Sequence, residues 1–217
     1  GAFTLVSRSA LGGQGHVAAN DRINLAHIGM GTQGFNELGK LLESPRIQIV
    51  AICDPNRKSN DYVEWGKNSI RNKIRGYMDE PNWWAGKSGC PGGREIGKEV
   101  VETYYAKNRE QDSYQGCNTY ADFRELLETE TDVDAVKIMT PDHLHATIAI
   151  AAMKKGLHVM THKPIANRMY ESRLTVDTAR QTKKATQLLA YGSSPENGLI
   201  ARRIKEGAIG KLREIHN

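Results

Sequence analysis

Apolar residues along the chain alternate between two spacings, one of strand length and one of helical period. Ile23 to Gly29 is a short apolar run, and Thr32 to Glu43 follows with Phe35, Leu38, Leu41 and Leu42 on one helical face. After Pro45, Ile47 to Cys53 (IQIVAIC) is apolar nearly throughout, as a strand covered on both sides requires. Asp54-Pro55 ends it. From 56 to about 118 the regularity lapses into a stretch rich in Lys, Arg, Asn and Gly, with a turn cluster at 89–93 and one predicted helix, Ile96 to Lys107. This stretch reads as an insertion, not a second domain, and its Trp65, Trp83 and Trp84 as local packing, with substrate stacking or oligomer contacts as the alternative. The alternation then resumes. The spacing predicts helices over Tyr120 to Glu128, Asp142 to Lys155, Tyr170 to Lys183 and Ser194 to Glu206, the second and last stopped by Gly156 and Gly207. Between them it predicts strands over Ala135 to Met139, Leu157 to Met160 and Gln187 to Ala190, with another beginning over Lys211 to His216. Strands alternating with helices predict an α/β fold, a Rossmann-type doubly wound parallel sheet with right-handed crossovers. Ligands of such sheets bind beyond the carboxyl ends of the strands, at the switch point.

The chain has 217 residues, 39% hydrophobic and 25% charged, a globular composition. No stretch approaches the roughly 18 unbroken apolar residues of a membrane helix, so no membrane partner is expected. The net charge of +5 reads as a solvated basic surface. Without interleaved aromatic and basic residues it does not predict nucleic-acid binding. Cys53 lies in an apolar run as a core thiol. Cys90 and Cys117 bracket one segment and remain open as a pair, although the odd cysteine count argues against a disulfide framework. No His, Cys or Asp spacing suits a metal, and none is expected.

Gly29-Met30-Gly31-Thr32-Gln33-Gly34 is a GxGxxG turn between an apolar strand and an amphipathic helix. In a phosphate-binding turn, Gly29 permits the bend, Gly31 lets backbone approach a pyrophosphate and Gly34 lets the helix pack on the strand. Amides at the helix N-terminus hold the anion. Twenty residues past Gly34, Asp54 ends the second strand at the spacing of a ribose-binding acid. A carboxylate there repels a 2′-phosphate, which favours NAD over NADP, and Arg57 nearby blurs the preference. Two further segments end strands on the same edge: Thr140-Pro141-Asp142-His143-Leu144-His145 and Thr161-His162-Lys163-Pro164. His143 and His145 are candidates for the site or for ordinary surface and helix packing.

With these motifs the sequence resembles the glucose–fructose oxidoreductase, inositol dehydrogenase and rhizopine-catabolism (Gfo/Idh/MocA) family. The resemblance runs from Ile23 to the end, apart from the insertion. It is carried by INLAHIGMGTQG, AICDP, DVDAVKIMTPDHLHATIAIAAMKKGLHVMTHKP and the turn at 207–211. It implies a Rossmann domain followed by a substrate-binding sheet domain, hence an arm over 1–22, the NAD(P)-binding domain over 23–192 and the start of a truncated C-terminal α+β domain over 193–217. It implies that Thr140 and Pro141 line the nicotinamide side with His145 nearby, and that Lys163, before Pro164, contacts the nicotinamide ribose and helps move a proton. His162 stands where the family usually has Glu. Desolvation in a cleft and the positive nicotinamide ring would lower the Lys163 pKa toward a useful range.

The expected activity is NAD-dependent hydride transfer with a carbohydrate or polyol, with Lys163 and His145 as catalytic candidates. An NAD-dependent glycosidase of the same fold and a non-catalytic cofactor-binding fragment are the alternatives. The resemblance also implies homo-oligomerisation through the second domain and, from the Gly-rich N-terminus and the insertion, a periplasmic or secreted origin, with a cytoplasmic one as the alternative.

Overall fold

The computed structural model describes residues 17–18, 21–109, 116–190, 195–208, 210–211 and 213–214. Most of the predicted arm lies outside them, as do three residues of the strand predicted over 211–216, whose described residues 211, 213 and 214 are not in a strand. Strands β1 (Ile23–Ile28), β2 (Ile47–Cys53), β5 (Asn118–Tyr120), β6 (Ala135–Ile138), β7 (His158–His162) and β8 (Thr186–Leu189) form one sheet, and β3 (Ser59–Tyr62) pairs with β4 (Cys90–Gly92) in a small antiparallel ribbon. The large sheet runs β5-β2-β1-β6-β7-β8, with every neighbouring pair parallel. The chain builds outward from β1 to β5, then returns to place β6 on the other side of β1. That reversal makes the carboxyl ends of β1 and β6 the switch point. The fold is a Rossmann-type α/β sheet.

Helices α1 (Thr32–Glu43), α2 (Ser69–Met78), α3 (Arg94–Asn108), α4 (Phe123–Thr129), α5 (Asp142–Lys154), α6 (Met169–Thr182) and α7 (Pro195–Lys205) complete the described elements. Side chains alternate across the strands. Leu25 and Ile49 therefore pack with α1, α2 and α3 through Phe35, Leu38, Ile70 and Val100. Ala26, Ile28 and Val136 face the other way, against Leu126, Ile148 and Ala152 of α4 and α5. Each layer removes apolar side chains from water at roughly 25 cal/mol per Å².

The 56–118 stretch contributes to the first of these cores. In α2, Ile70, Ile74 and Met78 recur every four residues and are buried there; α3 is the crossover from β2 to β5. The sequence pattern does not predict β3 (SNDY), β4 (CPG), β5 (NTY) or α2: the three strands carry no apolar alternation, and in α2 the four-residue spacing of Ile70, Ile74 and Met78 is set among Arg, Asn, Lys and Gly. Tyr120, expected to open a helix, ends β5, and α4 begins at Phe123 with the Asp122 carboxylate accepting from the Arg124 amide at 2.8 Å. β7 runs two residues further than expected, because Thr161 and His162 pair with Leu188 and Leu189. Trp83 and Trp84 pack at 5.0 Å, whereas Trp65 is exposed. Cys53, Cys90 and Cys117 are all buried and free, so the open possibility of a Cys90–Cys117 bridge is corrected. Burial pushes the Cys53 thiol up to about 12, which suits an inert core thiol.

Candidate cofactor site

β1 ends directly in the glycine turn. Gly29 has φ +99°, and a Cβ there would stand 2.6 Å from the Met139 carbonyl oxygen, so the bend takes glycine for both conformation and space. A Cβ on Gly34 would collide with the Gly29 carbonyl oxygen, consistent with the close helix packing expected of it. Gly31 caps α1 without a side chain. The amides of Thr32, Gln33 and Gly34 open the helix, and the first amides of a helix have no intrahelical acceptor.

Asp54 is buried, and its carboxylate turns back toward this bend. Oδ2 accepts from the Met30 amide at 2.7 Å, and Oδ1 accepts from the Asn56 amide at 2.8 Å and the Tyr62 hydroxyl at 3.3 Å. Met30 was expected among the cofactor-binding residues. Its amide is instead used by Asp54, its carbonyl accepts from Gly93, and its side chain is fully buried. Arg57 is exposed; Arg94 donates to the Asp54 and Pro55 carbonyls at 3.1 and 2.9 Å and so clamps the end of β2.

These groups line a cleft of about 520 Å³ at the switch point, a volume in the range of small-molecule sites. One end holds Asp54, Pro55, Asn56 and Tyr62, with Asp122, Phe123 and Arg124 beyond; the other holds Met139, Thr140, Pro141 and Leu144. Gly29, Gly31, Thr32 and Gln33 lie between. The Thr140 Oγ1 is enclosed without a hydrogen-bond partner among the described residues. A cleft with a carboxylate at one end, open helix amides in the middle and an unsatisfied hydroxyl toward the other fits a dinucleotide. Among the described residues no group of three His, Cys, Asp or Glu is placed to hold a metal.

Residues 94–189 match the Gfo/Idh/MocA oxidoreductase family, described as an NAD-binding Rossmann fold. The match covers less than half of the chain. Levoglucosan dehydrogenase of Pseudarthrobacter phenanthrenivorans is 37% identical over 97 residues, 44% of this chain and 24% of that protein. Glycosyl hydrolase family 109 protein 1 of Shewanella sp. (strain ANA-3) is 24% identical over 193 residues, 88% of this chain and 33% of that protein. The structure of myo-inositol 2-dehydrogenase from Lactobacillus plantarum superposes with a TM-score of 0.58 at 18% identity, over 88% of this chain and 43% of that one. The chain thus spans less than half the length of each.

In this Rossmann-type domain the second pair of strand ends is joined by His145. Its ring is fully buried on α5, with Nδ1 2.6 Å from the Pro164 carbonyl oxygen and Nε2 2.8 Å from the Thr140 carbonyl oxygen. Both nitrogens are spent on backbone and the ring does not line the cleft. The expectation of a catalytic His145 is therefore corrected to a positioning one. His143 is exposed on the first turn of α5, also outside the lining, because consecutive helical residues diverge by about 100°. Lys163 is exposed at the end of β7, with its amide donating to Leu189 at 3.0 Å. The desolvated cleft expected around its side chain is not formed by the described residues. His162 is half-buried, and burial together with the Lys163 charge lowers its pKa. Tyr62, Asn56 and the Asp122–Arg124 wall went unseen in the sequence; the only signal for Tyr62 was one aromatic residue in a polar run.

Proposed function

We propose that this chain is the cofactor half of an NAD-dependent oxidoreductase acting on a carbohydrate or polyol hydroxyl. The observation that carries the reading is the cleft at the switch point, with the Asp54 carboxylate aimed at the glycine turn. The open amides of Thr32, Gln33 and Gly34 suit the pyrophosphate, Asp54 suits a free ribose diol, and Thr140 and Pro141 suit the nicotinamide end. Bound NAD supplies the hydride acceptor. Lys163, exposed at the end of β7, is the residue we assign to the substrate's hydroxyl proton. His145 fixes the loops carrying Thr140 and Lys163 relative to each other. The names of the levoglucosan and inositol dehydrogenases support a polyhydroxylated substrate.

The match to glycosyl hydrolase family 109 proteins runs over 88% of the chain, including the 56–118 stretch, and favours a second reading in which the cofactor is retained and a glycosidic bond is cleaved. One experiment on the full-length gene product separates the two. The protein is denatured, the released dinucleotide is identified by mass, and a panel of sugars and aryl glycosides is followed at 340 nm and for free sugar. NADH accumulating with oxidised sugar supports the dehydrogenase. Sugar release without net NADH supports the glycosidase, and a protein that neither carries nor binds a dinucleotide overturns both.

A further inference from the structure

The ribbon of β3 and β4 closes onto the glycine turn. The Gly93 amide donates to the Met30 carbonyl at 2.9 Å, and the Thr32 hydroxyl donates to the Val63 carbonyl. Between these anchors the Tyr62 ring lies in a slot with glycine on both sides. A Cβ on Gly31 would stand 2.8 Å from Tyr62 Cε1, and a Cβ on Gly92 would be closer still. The side-chain-free surface of Gly31 therefore faces Tyr62 as well as the cleft, a second reason for glycine beside the expected approach to a pyrophosphate.

The ring delivers its hydroxyl to Asp54. Tyr62 donates to Oδ1 at 3.3 Å and accepts from Asn56 Nδ2 at 2.8 Å, closing a triangle at the end of β2. Burial raises the Tyr62 pKa to about 12, with the Asp54 charge adding to it against the Asn56 hydrogen bond. The phenol stays protonated at neutral pH and remains a donor to the carboxylate. A hydroxyl has two acceptor lone pairs; Asn56 uses one, and Tyr62 lines the cleft.

We propose that Tyr62 is a specificity-determining residue of the dinucleotide site. Its hydroxyl holds the Asp54 carboxylate toward the adenosine ribose, and the Tyr62–Asn56 pair closes the ground beside that carboxylate where a 2′-phosphate would stand. This rests on the cofactor reading above and adds its selectivity: a dinucleotide with a free 2′-hydroxyl. Nothing in the glycine turn itself makes that choice, because the turn meets only the pyrophosphate, which NAD and NADP share.

The test is calorimetric titration of NAD⁺ and NADP⁺ into the wild-type chain, Tyr62→Phe and Tyr62→Ala, with melting temperatures in parallel. Tyr62→Phe keeps the ring in its slot and removes the hydroxyl. It should weaken NAD⁺ about tenfold, the size of one hydrogen bond to a charged group, and leave NADP⁺ unchanged. Tyr62→Ala should narrow the preference further by admitting NADP⁺. Gly31→Ala should lower the melting temperature when Tyr62 is present. In the Tyr62→Ala background that loss should shrink, which reads the slot independently of ligand. A Tyr62→Phe protein with an unchanged NAD⁺ to NADP⁺ ratio overturns the selectivity role while the cofactor reading stands. Equal weakening of both cofactors with a lowered melting temperature assigns Tyr62 to the fold alone and also overturns it. A wild-type chain that binds neither dinucleotide overturns the cofactor reading itself.

Discussion

His27 sits mid-sheet in β1 with no exposed surface, across from Lys137 of β6, whose ammonium donates to the Glu37 carbonyl at 3.3 Å and lies 3.8 Å from the Glu37 carboxylate. Burial, with the Lys137 charge adding to it, lowers the His27 pKa from 6.5 to about 3. Between those values the unfolded chain binds a proton that the native one refuses, so native stability falls as pH drops below 6.5 toward about 3. Removing the imidazole with His27→Leu should flatten this acid limb. Melting curves of both proteins at intervals from pH 7 to pH 4 measure it, and parallel curves would show that His27 does not titrate as a buried neutral ring. Asp54 represents the opposite use of a buried polar group. Its position was legible because its spacing from the glycine turn is fixed by the length of one helix and one strand. Its partners were not legible: two are backbone amides, which no residue letter encodes, and the third, Tyr62, arrives from a ribbon without hydrophobic pattern.

At the scale of elements, the readable parts were those whose burial is periodic. α1 shows one apolar face and β2 two, so their limits in the structure, Thr32–Glu43 and Ile47–Cys53, are the ones the pattern predicts. β3, β4 and β5 are strands because of what they hydrogen-bond to, and their side chains are largely polar or absent. The exposure of Lys163 was also out of reach, because what surrounds a loop is decided by distant elements. β2 shows how an element borrows support. β5 pairs only with Ala51, Ile52 and Cys53, and lower on β2 the Ile49 amide donates to the Tyr105 hydroxyl of α3 at 3.0 Å. The Arg109 guanidinium stacks 3.9 Å from that ring and donates to the Ile47 carbonyl at 2.7 Å. Tyr105→Phe keeps the packing and removes the acceptor. It should cost about 1–2 kcal/mol in urea unfolding with the m-value unchanged, since the buried Ile49 amide loses this acceptor. A loss under about 0.3 kcal/mol would mean the amide finds another acceptor.

For the molecule as a whole, the cleft is built at the reversal of the strand order from at least four separate segments: the glycine turn, the end of β2 with the ribbon, the start of α4, and the β6–α5 loop. A ligand spanning them ties together segments far apart in the chain, so binding should register as global stabilisation. NAD⁺ at a hundred times its Kd should add about 2.7 kcal/mol. For a domain of this size that is a rise of roughly 5–10 °C in melting temperature. NADP⁺ at the same concentration should give a clearly smaller shift. Scanning fluorimetry across a concentration series measures both, and the absence of any NAD⁺-dependent shift would count against the cleft as a dinucleotide site.

The buried imidazole at 145 behaves like a bolt through two hinges. Because its two nitrogens lie against the carbonyls of Thr140 and Pro164, one of them donating, the ring fills the space between the loops after β6 and β7 and fixes their separation, although separate crossovers deliver them. An enzymologist surveying this region by mutagenesis would therefore meet a decoy. Damage at 145 would displace the loop that carries Lys163 and imitate its loss, and a side chain outside the cleft lining would be credited with a role inside it.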